Sequence, residues 1–138
     1  MTSIFMRFFI SLIVCLGFIN GVNAEDEAPT DIKTSKSAYL QLKPTITTNY
    51  ISERLKYVRA DVALRVDGAI LDKVTHHSDA IRDIVIMLFS RQDKDVFTDT
   101  ENIAALRGEV KEEIIAFLES ENEPTDVIDV LFMSLLVE

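Results

Sequence analysis

Glycine, cysteine and histidine are scarce in this chain, and each scarcity closes off a class of chemistry. There are four glycines in 138 residues, and only Gly68 and Gly108 lie beyond the first 24, too few for a glycine-rich phosphate cradle. The single cysteine is Cys15, and no G-x-S-x-G elbow is present, so neither common route to a nucleophilic enzyme is available. Tryptophan is absent, and the two histidines are adjacent, at 76 and 77.

Positive charge is also in short supply. The formal charge is −9, and all 23 acids lie after residue 24 with every base except Arg7, which puts that portion near −10. Such a surface repels phosphate backbones and anionic headgroups, and no Lys/Arg cluster offsets it, so nucleic acid is excluded as a partner. At 48% hydrophobic and 27% charged, the chain nevertheless has the composition of a folded domain.

Residues 1–24, MTSIFMRFFISLIVCLGFINGVNA, stand apart. Arg7 precedes an apolar run from Phe8 to Ile19, and Val22-Asn23-Ala24 places small residues where a signal peptidase needs them. The run is about 12 residues against the roughly 20 of a spanning helix, so a secretory signal peptide cleaved between Ala24 and Glu25 is expected. An uncleaved segment would instead serve as a membrane anchor. A lipoprotein would need a small residue before Cys15, where Val14 stands; cleavage after Ala24 leaves no thiol and hence no disulfide. Residues 25–37, polar and without apolar period, read as a linker.

Residues 38–138 read as one α+β domain. Tyr39, Leu40 and Leu42 lead to Pro44 and Ile46, an edge strand broken or bulged at the proline. Val58, Ala60, Val62, Leu64 and Val66 alternate with Arg59, Asp61, Ala63, Arg65 and Asp67, a strand with one dry and one wet face. Gly68 closes it, and residues 69–74 make a helical turn. Ile81, Ile84, Val85 and Leu88 form a helical stripe, with Ser78 and Asp79 as its N-terminal capping residues. Ile86 and Met87 fall outside that stripe. They imply either a central helix sandwiched between the sheet and a second helix or a contact between subunits.

The Thr98-x-x-Glu101 box predicts a second helix, with Ile103, Leu106, Val110, Ile114 and Phe117 on its apolar side. Its opposite side, with Glu109, Lys111, Glu112 and Glu113, is a solvated charged face. After Glu123-Pro124, the near-continuous apolar run VIDVLFMSLLV at 127–137 predicts a strand buried on both faces, as a central strand would be. The order is strand, strand, helix, helix, strand, with helices packed on a small sheet.

Asp72, His76, His77 and Asp79 are the one set from which a metal site can be drawn, but no further histidine exists to complete a nitrogen-rich centre. The expectation is therefore a protein that acts by binding, with no catalytic residue, cofactor or metal.

The strings SDAIRDIVIMLFSRQ, ALRGEVKEEIIAFLE and DVIDVLFMSLLVE, together with YLQLKP and RLKYVRADVALRVD, resemble the periplasmic domain of the flagellar basal-body-associated FliL family over about residues 38–138. Ile81-Arg82-Asp83, Leu106-Arg107 with Glu109, and the terminal strand carry the resemblance most. Three features depart from the family pattern: Asn102-Ile103 in place of Gly-Lys, Glu138 in place of Gln, and a signal peptide in place of a transmembrane anchor, as in a secreted paralogue. The resemblance implies a stomatin-like domain forming a homo-oligomeric ring around the stator units of the motor, at the periplasmic side of the inner membrane, in support of rotation, motility and chemotaxis. Under it, Ile86 and Met87 become the assembly interface. The competing readings are a periplasmic adaptor of another envelope complex and, more remotely, a small metal-dependent enzyme centred on His76 and His77.

Overall fold

The computed structural model describes residues 36–138. The signal peptide, its Ala24/Glu25 junction and nearly all of the linker lie outside them. Within them the chain is α+β, with three antiparallel strands and all its helices between the second and third. The strands are β1 (Ser37–Asn49), β2 (Tyr57–Asp67) and β3 (Val127–Val137), in the order β1-β2-β3. A 3-10 turn at Gly68–Ile70 leads into α1 (Leu71–His76), α2 (Ser78–Ser90), α3 (Lys94–Thr98) and α4 (Thr100–Ser120).

β2 is central, pairing with β1 along one edge and β3 along the other, and its alternation sets which face is dry. Val58, Ala60, Val62, Leu64 and Val66 are all buried, facing the helices. α2 lies over β1 and α4 over β3, with α2 and α4 in contact, so one helical layer covers one face of the sheet. Ile81, Val85, Leu88 and Phe89 of α2 and Leu106, Val110, Ile114 and Leu118 of α4 complete the core. No polar or charged residue among those described is fully buried, so the core is held by apolar burial and packing. At one end, Phe89 meets Phe97 of α3 and Phe132 of β3 at 5.4 and 5.3 Å between ring centres, and Tyr50 meets Phe97 at 5.8 Å.

The expected break in β1 is present. Leu42 pairs with Val62 and Ile46 with Ala60, so Lys43, Pro44 and Thr45 together face Asp61. Thr45 Oγ1 donates to Asp61 Oδ1 at 2.7 Å, and Arg82 Nε of α2 donates to the Pro44 carbonyl at 3.2 Å, which fixes the bulge from both sides. β3 bulges at the same level: Asp61 pairs with Ser134 and Val62 with Phe132, leaving Met133 out of register. A second β3 bulge leaves out Ile128, between partners of Arg65 and Val66. Bulges bend a strand and sharpen its local twist.

Three local expectations are corrected. β3 is an edge strand, and its continuous hydrophobicity reflects the two bulges and an exposed side, where Ile128, Met133 and Leu136 meet solvent. The cap of α4 is Asp99, whose carboxylate accepts from Glu101 N at 2.7 Å; Thr98 ends α3 instead, its hydroxyl donating back to the carbonyls of Lys94 and Asp95. Ser78 does not cap α2. It is the first helical residue, and His77 holds the cap position with no side-chain bond, because α1 runs almost directly into α2 and supplies the junction from its own last turn.

Candidate functional site

On α2 the residues at helical spacing Asp79, Asp83 and Met87 form the exposed stripe, opposite the buried Ile81, Val85 and Leu88. The two residues marked as surplus apolar surface therefore separate. Met87 is 45% exposed, while Ile86 is half-buried and packs against the core cluster. The structure places them side by side at the rim of the helical layer, with Ser90 Oγ donating to the Met87 carbonyl at 2.8 Å in the last turn.

A larger apolar surface lies where the alternation of β2 gives only a wet face. Among the described residues no element covers the side of the sheet away from the helices. Antiparallel partners point to the same side, so Tyr39 with Arg65, Leu131 with Ala63, and Leu136 with Arg59 share this open face. Tyr39 is 62% and Leu136 is 56% exposed, and Tyr57, of the same parity as Arg59, is exposed too. Ala63 is nonetheless buried, so the larger side chains around it lean over its small one. Near the end of this face Thr47, Tyr57, Arg59 and Glu138 line a shallow depression of about 270 Å³.

Charge divides the molecule the same way. α4 alone presents exposed Glu101, Glu109, Glu112, Glu113 and Glu119, whereas the open face sets Arg59 and Arg65 against Asp61 and Asp129. Arg65 Nε is buried and finds no hydrogen-bond acceptor among the described residues, although Asp129 is its cross-strand neighbour. Asp129 Oδ1 accepts instead from Val130 N at 2.8 Å.

The histidines are brought together but not as a metal centre. The rings of His76 and His77 lie 5.1 Å apart edge to face, and His77 turns inward onto Phe117 at 5.5 Å. Its Nε2 is 3.7 Å from Glu123 Oε1, and Lys73 Nζ is 3.3 Å from Glu123 Oε2. Among the described residues no three His, Cys, Asp or Glu side chains gather as a metal group, and Asp72 and Asp79 are both exposed. In the sequence Glu123 marks only the end of the second helix. It is positioned by the end of α4, where Asn122 takes φ 56° and Glu123 N bonds the Leu118 carbonyl at 2.9 Å, the pattern that closes many helices. A carboxylate at a helix C-terminus is unfavourably placed, and Lys73 offsets it.

No described helix is long and apolar enough to cross a membrane. Residues 39–137 match the family model described as flagellar basal body-associated protein FliL, which spans the three strands and every helix between them. No curated protein matches the chain.

Proposed function

The chain belongs to the flagellar basal body-associated FliL family, and from that premise we propose that it is a non-enzymatic accessory protein that assembles beside or around the stator units and supports flagellar rotation, motility and chemotaxis. The observation that carries the reading is the family match over residues 39–137, which takes in the whole described domain except its outermost residues. The exposed Met87 supports it: a helix that already buries one stripe has a second apolar position free for a neighbour. In this reading Met87, with Ile86 at its rim, makes the lateral contact of a homo-oligomeric ring. The domain stands in the periplasm at the inner membrane, and the mature chain begins at Glu25 after cleavage behind Ala24.

An in-frame deletion strain tests the function. Swimming should be reduced in soft agar and restored by the wild-type gene, and a tagged copy should gather at the basal bodies. Normal swimming with no localisation at the motor would return the protein to the role of an adaptor in another envelope complex. Sequencing of the mature N-terminus tests export: a first residue other than Glu25, or full-length chain confined to membranes, would make the segment an anchor.

A further inference from the structure

The open face of the sheet carries exposed apolar side chains well apart from Met87 of α2. Of the large hydrophobic residues exposed among those described, Tyr39, Tyr57 and Leu136 share this face by register, Ile128 and Met133 stand at the bulges of β3, Ile51 and Leu55 lie in the connection after β1, and Met87 alone belongs to a helix. We propose that a second copy of this chain packs on this face, sheet against sheet about a two-fold axis. The inference concerns self-association alone and stands apart from the flagellar reading; a two-fold contact closes on itself and builds no ring.

Three observations choose the occupant. First, the sheet is blunted against growth by edge pairing. β1 is interrupted at Pro44, β3 is bulged at Ile128 and Met133, and Lys111 Nζ donates to the Ile128 carbonyl at 2.9 Å, occupying an edge acceptor. Packing by the face remains open where pairing by the edge is discouraged. Second, two copies of a chain with net charge −9 repel wherever their acids meet, and the helical layer is where α4 presents its glutamates. The open face carries both signs, so a two-fold copy can set the exposed Arg59 and the half-exposed Arg65 against Asp61 and Asp129 of its mate. Third, the area fits a dimer of limited strength. Three strands at about 4.8 Å spacing and some 11 residues long present roughly 500 Å² per copy. The pair then buries about 1,000 Å², near the lower bound of specific interfaces.

Sedimentation equilibrium of the full chain from about 1 to 500 µM, a range suited to so small an interface, tests the proposal, with circular dichroism recording the fold. Leu136→Glu should weaken self-association at least tenfold with the spectrum unchanged. Arg59→Glu, also at an exposed position and turning the face acidic, should do the same and serves if Leu136→Glu folds poorly. Met87→Asp should leave this dimer intact. A wild-type chain that stays monomeric throughout, an Arg59→Glu variant that associates as wild type, or a Met87→Asp variant that alone becomes monomeric would each overturn it. None of these readouts involves motility, so their failure leaves the flagellar reading untouched.

Discussion

The hydroxyl of Tyr50 donates to the main-chain carbonyl of Glu138 at 3.1 Å, tying the end of β1 to the end of β3 across the full width of the sheet. Tyr50 is buried, and its ring lies on Phe97 of α3. Tyr50→Phe keeps the ring and removes the donor, so it should cost about 0.5–1.5 kcal/mol. Tyr50→Ala also empties the aromatic end of the core and should cost about 3–5 kcal/mol. Urea denaturation of the two variants checks the separation; equal losses would mean that the hydroxyl, and not the ring, holds this corner.

The cap of α4 gives a prediction that separates two neighbours. Asp99→Ala removes the acceptor of Glu101 N and should cost about 1 kcal/mol. Thr98→Ala removes bonds at the end of the five-residue α3 and should stay within about 0.5 kcal/mol, as exposed substitutions usually do. The reverse order, read from denaturation midpoints, would restore Thr98 as the cap.

The two glycines of the domain should respond with opposite signs. A Cβ at Gly108, inside α4, meets nothing within 4 Å, so Gly108→Ala should stabilise by about 0.5–1 kcal/mol. A Cβ at Gly68 would lie 2.5 Å from the Lys36 carbonyl oxygen, the same oxygen that accepts the Gly68 N–H at 2.9 Å. Gly68→Ala must therefore displace the entry to β1, and a loss of about 1–3 kcal/mol is expected. Thermal melts of both variants suffice.

Ile86 and Met87 should behave differently although they are adjacent. An Asp at Ile86 puts a carboxylate against the core and should cost several kcal/mol, a large share of a typical 5–15 kcal/mol domain stability. Met87→Asp should leave the fold within about 0.5 kcal/mol of wild type. In cells it should abolish assembly at the motor while protein levels hold. Normal swimming of the Met87→Asp strain would remove the α2 face from the assembly.

Much of this architecture is legible in the residues, and the misreadings share a physical origin. The alternation from Val58 to Asp67 marks a strand with one dry face, and Pro44 marks a bulge, because both signals are local. β3 is misread as central because its apolar residues run together, and nothing in a one-dimensional pattern distinguishes burial on two faces from a bulge that shifts parity. Met133 and Ile128 are the residues that shift it. The cap of α4 moves from Thr98 to Asp99 because the short α3, without an apolar period of its own, claims Thr98 first. Of Ile86 and Met87, the residues expected at an interface, only Met87 stands in the open. The larger exposed surface lies on the far side of the sheet, where Tyr39, Leu136 and Arg59 are brought together by pairing between distant segments.

The position of β2 between the first strand and the last also sets the order in which the domain can mature. β1 and β2 are joined by a short connection and can pair at once, but Val66 must wait for Val127 and Val58 for Val137. Pairings that span so much chain form late and slow the search. A chain delivered across a membrane from its N-terminus would thus emerge with a finished hairpin whose hydrophobic strand still has one unsatisfied edge. That edge is closed only when β3 pairs along it.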